Sequence, residues 1–218
     1  PAVTPPIATN PPPVVPPVIT PPIVTTPPIV TPPEVTPPPV DPNQETPFPD
    51  PVTPPIDKPT DIQSHWAQAF IQALVDRSFI SGFPDGSFKP DAILTRAQFA
   101  AILAKSFDLP AKRQPIPFND VPSNFWGAEA INKATAMGFI SGYPDGTFRP
   151  GQNLTRVQAM VALVSGLGLT GGQLSTLGTY SDRTGIPSYA VEAVSTATQK
   201  RMVVNYPTPK QLNPNRDM

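Results

Sequence analysis

An internal repeat with an offset of 60 residues is the feature that most constrains the fold. The offset places FISGFPDGSFKP, residues 79–90, onto FISGYPDGTFRP, residues 139–150. Nine of these twelve positions are identical, and the other three are conservative exchanges. The match continues from LTRAQ, residues 94–98, to LTRVQ, residues 154–158. One repeat therefore comprises a Trp-led segment, a turn-rich loop and a second segment that opens with Thr-Arg.

A third, more divergent copy follows the first two. It begins with YSD at residues 180–182, which matches FND at 118–120. The match continues through VVNYP at 203–207 and LNP at 212–214. The Thr-Arg motif of this copy would come after Met218, so we expect the third repeat to be incomplete. The predicted repeats span about residues 60–109, 117–169 and 179–218.

Each repeat is predicted to form a helix, a loop and a second helix. In the first helix Trp66, Phe70 and Leu74 fall on one face, and Trp126 leads the equivalent face in the second copy. We interpret both tryptophans as core anchors, because large aromatic side chains contribute most to apolar burial. The PDG sequence in the loop predicts a tight turn.

The second helix is predicted to open with a capping box. Thr95-Arg96-Ala97-Gln98 and Thr155-Arg156-Val157-Gln158 both have the required Thr and Gln spacing. In this motif the hydroxyl and the amide side chain satisfy free backbone groups reciprocally. The sequence therefore predicts an all-α fold in which the second helices begin after Thr95 and Thr155.

Proline divides the chain into two segments. Of the 36 prolines, 24 fall in residues 1–59, together with a single aromatic residue, Phe48. Units such as TPPIVTPPEVTPPP favour extended backbone and leave too little apolar surface to offset the entropy of ordering. We expect residues 1–59 to be a disordered polyproline II spacer. Residues 60–218 are long enough to form one domain.

Composition excludes several classes of function. Zero cysteines exclude disulfides and thiol nucleophiles, and one histidine, His65, excludes sites that need two imidazoles. A net charge of -1 gives no electrostatic footprint for nucleic acid. No apolar run reaches the roughly 18 residues of a membrane helix. The PDG loops also lack the alternating acidic residues of a calcium-binding EF-hand. We expect no cofactor, no metal and no catalytic residue in this chain.

The capping box does not explain why an arginine occupies the first position of the second helix in both repeats, as Arg96 and Arg156. A cation there faces the positive end of the helix dipole, which costs roughly 0.3 to 1 kcal/mol. One interpretation is a salt bridge from each arginine to a loop carboxylate. The candidate carboxylates are Asp85, Asp120 and Asp145. The other interpretation is a corner formed by helix amides and the guanidinium that binds a carboxylate or phosphate.

These motifs together resemble the S-layer homology domain family over residues 60–218. They are the Trp, the GFPDGSFKP or GYPDGTFRP loop, and LTRAQ or LTRVQ. The resemblance implies three helix-loop-helix repeats in a pseudo-threefold bundle, with grooves that bind peptidoglycan-linked cell-wall polysaccharide, often one bearing pyruvate ketals. It implies an exported, non-catalytic anchoring module at the cell wall, the cell surface or the periplasm. We expect the module to be monomeric.

The resemblance also implies the site residues. The family's Thr-Arg-Ala-Glu motif maps onto the two capping boxes, with Gln98 and Gln158 in place of Glu, a variant similar to cyanobacterial members. The third copy departs further, with Asn205 where the first two have glycine. The candidate ligand-binding residues are Arg96, Arg156, Thr95, Thr155, Trp66, Trp126, Gly82, Gly142, Asp85, Asp145, Lys89, Arg149 and Tyr143.

Two other functions stay open on the sequence. The chain could serve as the targeting arm of a peptidoglycan hydrolase, whose paired catalytic carboxylates would lie outside this sequence. It could equally be the periplasmic arm of an outer-membrane porin, which would show alternating strands of about ten residues after the third repeat.

Overall fold

The computed structural model describes residues 59–83 and 85–218. The spacer predicted for residues 1–59 therefore lies outside the described residues, apart from the buried Pro59. The described chain is helical and contains no β-strand, only two isolated bridges, which confirms the predicted all-α class. No helix among the described residues has both the length and the apolar character needed to cross a membrane.

Five α-helices build the three repeats. They are α1 (Gln68–Val75), α2 (Arg96–Ser106), α3 (Ala128–Ala136), α4 (Arg156–Gly166) and α5 (Val191–Gln199). The first repeat contributes α1 and α2, the second α3 and α4, and the third α5. Short 3-10 helices lie before α5, at Leu174–Thr179, Arg183–Gly185 and Ser188–Ala190.

The main helix contacts join successive repeats. Helix α2 of the first repeat packs on α3 of the second, and α4 of the second packs on α5 of the third. The larger core cluster lies at the first of these contacts and includes Phe99, Leu103, Ile131, Met137 and Phe148. A second cluster lies at the other contact and includes Val157, Val194 and Leu212. Because successive repeats cover each other's apolar faces, they should fold as one unit.

Three backbone hydrogen bonds close the repeats around a common axis. They involve Leu94, Leu154 and Met218, which occupy equivalent positions in the three copies. Leu154 N donates to Leu94 O at 2.9 Å, and Met218 N donates to Leu154 O at 3.0 Å. Leu94 N donates to Met218 O and completes the ring. Each repeat thus donates to one neighbour and accepts from the other, which confirms the predicted pseudo-threefold arrangement.

One aspartate in each repeat holds the end of the loop. In the second repeat Asp120 accepts hydrogen bonds from Phe148 N and Arg149 N, both at 2.7 Å. Asp61 accepts the same pair at 2.7 Å, and Asp182 accepts them at 2.9 and 2.7 Å. The residue at the second amide has a φ of 56°, 58° and 51° in Lys89, Arg149 and Asn213. The third repeat therefore keeps the loop geometry of the other two.

The predicted orientation of the first helix is wrong for α1. Trp66, Phe70 and Leu74 are 43%, 55% and 40% exposed, whereas Ile71 on another face is buried. The reason is the packing order: α2 covers α3 and α4 covers α5, but no described helix covers α1 in this way. Trp126 is also 39% exposed. Neither tryptophan is therefore a core anchor.

Candidate functional site

Arg96 connects the first repeat to the loop of the second. Its Nε donates to Phe148 O and its Nη2 donates to Ser141 O, each at 2.8 Å. The guanidinium carbon lies 4.9 Å from the ring centre of Tyr143 and 4.6 Å from that of Phe148. Burial lowers the pKa of Arg96, which is 5% exposed, although Tyr143 and Asp120 oppose this shift. We call this contact between the first two repeats the first seam.

Arg156 makes the equivalent connection between the second and third repeats, which we call the second seam. Its Nη2 donates to Val204 O and to Asn205 Oδ1, both at 2.7 Å. Its Nε is buried without a hydrogen-bond partner among the described residues. Burial lowers the pKa of Arg156, and Tyr180 and Asp182 oppose this shift. Asn205 thus provides a side-chain acceptor that a glycine lacks.

Both interpretations of these arginines need correction. The described ion pairs join neither Arg96 nor Arg156 to a carboxylate, so the predicted salt bridge is wrong. The helix amides are occupied as well, because Arg96 N donates to Gln152 O at 2.9 Å and Ala97 N to Pro150 O at 3.0 Å. Two equivalent bonds tie the first turn of α4 to the third repeat. Of the predicted anion corner only the guanidinium charge remains.

The threonines act as helix caps. Gln98 N donates to Thr95 Oγ1 at 3.3 Å, and Thr95 N donates to Gln98 Oε1 at 2.8 Å, which confirms the capping box of α2. In α4, Thr155 N donates to Gln158 Oε1 at 3.0 Å. The Thr155 hydroxyl faces the corresponding amide but falls short of hydrogen-bonding geometry. Both predicted capping boxes are therefore present, and the threonine hydroxyl bond is better formed in α2 than in α4.

The loop of the second repeat holds Tyr143 against another cation. The guanidinium carbon of Arg149 lies 4.1 Å from the Tyr143 ring centre, and Arg149 Nη2 pairs with Asp145 at 2.9 Å. The Tyr143 hydroxyl donates to Gln152 Oε1 at 2.8 Å. Asp145 accepts a hydrogen bond from the Thr147 hydroxyl at 2.6 Å. This bond and the pairing with Arg149 lower the pKa of Asp145 to about 2. Tyr143 therefore lies beside cations from two repeats.

The loop of the first repeat has the same design with weaker contacts. Lys89 Nζ lies 4.3 Å from the ring centre of Phe83 and 4.0 Å from Asp85 Oδ2. Asp85 accepts a hydrogen bond from the Ser87 hydroxyl at 2.6 Å. The hydroxyl and the amide of Ser87 lower the pKa of the Asp85 carboxyl below its ordinary value. Asp85 and Asp145 thus order their own loops and do not contact the arginines of α2 and α4.

The two loop glycines are required by the backbone itself. A Cβ on Gly82 would lie 2.7 Å from Ser87 O, and one on Gly142 would lie 2.9 Å from Thr147 O. Side chains essentially never approach a backbone oxygen so closely, because the atoms would overlap. Gly82 and Gly142 therefore allow the loop to fold back on itself.

The tryptophans and their third-repeat equivalent lie at the surface. Trp66 stacks on Tyr206 of the third repeat, with ring centres 5.3 Å apart and planes 11° apart. Trp126 lies against Phe125 at 5.4 Å. Tyr189 occupies the tryptophan position in the third repeat and is also exposed. Each repeat thus presents one exposed aromatic residue at the start of its first helix.

Sequence reasoning missed the loop-holding role of Asp61, Asp120 and Asp182. The sequence indicates Asp120 only as a partner for arginine, whereas its two oxygens accept hydrogen bonds from backbone amides. The signal was available, because PTD, FND and YSD place an aspartate at the start of every copy. Asn205 was noted as a departure from glycine, but its bond to Arg156 could not be predicted from that exchange.

Comparison with known proteins places the repeats in a family. The model of the S-layer homology domain matches residues 60–100 and 117–160, which are the first and second repeats. Cell surface glycoprotein 1 of Acetivibrio thermocellus is 39% identical over 100 residues, 44% of this chain and 4% of that protein. The cellulosome-anchoring protein of Acetivibrio thermocellus is 35% identical over 107 residues, 47% of this chain and 24% of that protein.

An enzyme is among the relatives as well. Amylopullulanase of Thermoanaerobacterium thermosulfurigenes is 30% identical over 151 residues, 67% of this chain and 8% of that enzyme. The chain therefore spans a quarter or less of each of these three relatives. The matched segments, the helix-loop-helix geometry and the recurring loop agree, and the two matched repeats belong to the S-layer homology domain family.

Proposed function

We propose that this chain is a non-catalytic module that anchors a larger protein to the cell wall by binding wall polysaccharide. Membership of the S-layer homology family supports this proposal, as do relatives named as a cell surface glycoprotein and a cellulosome-anchoring protein. The proposal locates the module outside the cytoplasm, at the wall, the cell surface or the periplasm. Its partner would be a peptidoglycan-linked polysaccharide, including one that bears pyruvate ketals.

The observation that carries the proposal is the bond between one repeat and the loop of the next. Through Arg96 the first seam brings Tyr143 and Arg149 of one repeat together with a buried cation of another. Aromatic rings suit the apolar faces of sugars, and guanidinium groups suit carboxylate or phosphate substituents. A surface that combines both can bind an acidic polysaccharide without any reacting group.

The candidate residues would divide into two roles. Residues that contact the polymer would be the exposed Trp66, Trp126 and Lys89 and the half-buried Tyr143 and Arg149. Residues that position the loops would be Arg96, Arg156, Thr95, Thr155, Gly82, Gly142, Asp85 and Asp145. The second group already has protein partners or backbone constraints. Its substitution would weaken binding through the fold.

Co-sedimentation with purified cell walls tests the proposal. The folded chain should sediment with the walls in a saturable way, and free wall polysaccharide should compete. Trp126→Ala should weaken binding by about tenfold with little change in melting temperature, as expected for loss of an exposed stacking surface. Leu174→Ala is the control, because Leu174 is also exposed but lies in the 3-10 helix Leu174–Thr179, away from the candidate residues. Absence of saturable sedimentation, or equal loss in the two variants, would refute the assignment.

A second candidate function is the targeting arm of an enzyme that acts on polysaccharides. The observation that favours it is the match to amylopullulanase over 8% of that enzyme's length. In this case the chain would still only bind, and the catalytic domain would lie elsewhere in a longer protein. Incubating the chain with walls should release no reducing sugar, and measurable release would contradict both forms of the proposal.

A further inference from the structure

We propose that Arg113, in the linker between the first two repeats, makes the first seam selective for an anionic substituent of the wall polymer. The inference rests on the proposed function and extends it to the ligand chemistry of one seam. Arg113 lies outside both segments that match the family model, which end at residue 100 and begin again at 117. The substituent would be a carboxylate or a phosphate, since guanidinium groups bind both.

The geometry brings several cations to one short segment of loop. Arg113 Nη1 is within 2.8 Å of Ser141 Oγ and donates to it. Ser141 O accepts a hydrogen bond from Arg96 Nη2, also at 2.8 Å. Two guanidinium groups from outside the loop therefore meet at one residue. Arg149, farther along the same loop, adds a third positive charge beside Tyr143.

Internal carboxylates compensate this charge only in part. Among the described ion pairs, none involves Arg96 or Arg113. The nearby carboxylates are Asp145, which pairs with Arg149, and Asp120, whose oxygens accept two backbone amides. Like charges held close together disfavour each other, and a bound anion removes that cost. An external anion at Ser141 would thus be stabilised by two guanidinium groups that form no described ion pair, of which Arg96 is offset in part by Asp120.

The linker holds Arg113 in place before any ligand arrives. Lys112 N and Arg113 N both donate to Ala136 O, at 2.7 and 3.2 Å. Lys112 Nζ donates to Ser165 O at 3.1 Å and Gly166 O at 2.7 Å, at the end of α4. The backbone beside Arg113 is therefore fixed on the second repeat. A ligand would not have to order this segment, and that lowers the entropic cost of binding.

The second seam lacks this arrangement. Val204 occupies the position of Ser141 and has no hydroxyl, and the linker at residues 167–179 contains no lysine or arginine. Each seam arginine is influenced by one charge of each sign, Asp120 and Arg149 at Arg96 and Asp182 and Arg216 at Arg156, so the seams differ in the linker cation and the hydroxyl. The second seam therefore suits a neutral sugar better than an acidic one. Selectivity for an anion should come from the first seam alone.

Wall binding by three variants tests the inference. Arg113→Gln removes the charge, and Ser141→Val gives the loop the residue found in the second seam. Lys105→Gln is the control, because it removes an exposed cation in the last turn of α2, away from the seam. The walls are used intact, after mild acid that removes ketals, or after hydrofluoric acid that removes phosphodiester-linked groups.

We expect Arg113→Gln and Ser141→Val to bind intact walls about tenfold more weakly, as for one charge-assisted hydrogen bond, with unchanged melting temperature. Their difference from the unsubstituted chain should disappear after one of the two treatments, which identifies a ketal carboxylate or a phosphate as the group bound. Lys105→Gln should bind as the unsubstituted chain does. Unchanged binding by Arg113→Gln, or an equal loss on all three walls, would overturn the inference.

A titration without walls separates this inference from the proposed function. Pyruvate and inorganic phosphate are added to the isotopically labelled chain at low salt, and the amide signals of residues 139–150 are followed by NMR. Saturable shifts in the chain that vanish in Arg113→Gln would support an anion site even if no wall sediments with the protein. Shifts that are absent, or the same in the variant, would refute the site even if the chain binds walls.

Discussion

Replacement of Arg96 by Gln should destabilise the domain by about 3 kcal/mol. The change removes the donors to Phe148 O and Ser141 O, and an unsatisfied buried acceptor costs about 1 to 3 kcal/mol. It also removes cation contacts to two rings, each contributing roughly 0.5 to 1 kcal/mol. Part of this loss is offset, because the variant no longer has to bury a guanidinium group or hold a cation at the positive end of the helix dipole.

Arg156→Gln provides the matched comparison. Arg156 occupies the same helical position, but it is less buried, and both of its acceptors lie on the third repeat near solvent. Arg156 also makes two hydrogen bonds, but its buried Nε lacks a partner among the described residues, so the substitution also removes an unsatisfied donor. We expect a cost of about 1 kcal/mol, within the usual net range of one hydrogen bond. Both arginines follow a Leu-Thr pair at the same helical position, so the comparison tests the effect of the different burial of their side chains.

Thermal unfolding followed by circular dichroism measures both effects. For a domain of this size 1 kcal/mol corresponds to about 2 to 4 °C, so we expect a drop of about 6 to 12 °C for Arg96→Gln and about 2 to 4 °C for Arg156→Gln. Arg96→Lys should fall between the unsubstituted chain and Arg96→Gln. An unchanged melting temperature for Arg96→Gln, or equal drops for the two glutamine variants, would refute the account of Arg96 as a buried clamp.

Three further predictions concern the caps, the loops and α1. Thr95→Ala should lower stability by about 1 kcal/mol, and Thr155→Ala by less, since the Thr155 hydroxyl bond is less well formed. Denaturant midpoints compare the two variants, and equal losses would contradict the difference. Hydrogen bonds from the amides of Leu212 and Asn213 outweigh burial and lower the pKa of Asp182. The contribution of Asp182 to stability should therefore be complete above about pH 4 and be lost as the pH falls further. A pH series of melting temperatures measures this loss, and Asp182→Asn should abolish it. A second copy of residues 95–106 fused after Met218 should cover α1 and raise the melting temperature by several degrees; unchanged tryptophan fluorescence would show that it does not dock.

Local signals in the sequence were enough to predict the repeat, the helices and the capping box that begins at Thr95. The offset of 60 residues predicted two equivalent units, and YSD located a third whose loop has the same geometry. The Thr95 capping box could be predicted because all of its bonds lie within four residues. The Gly82 and Gly142 positions follow in the same way from the tight loop that PDG encodes. Such contacts depend on spacing along the chain, which a sequence displays directly.

Tertiary structure decided everything that depends on which repeat lies beside which. Arg96 bonds to a loop 45 and 52 residues away, and no pattern within one repeat indicates that its acceptors are carbonyl oxygens of the next. The apolar face of α1 was misassigned for the same reason, because an amphipathic pattern shows which face is apolar but not whether another helix covers it. The meeting of Arg113 and Arg96 at Ser141 likewise arises only when the linker folds back onto the second repeat, since burial and charge depend on distances in space and not along the chain.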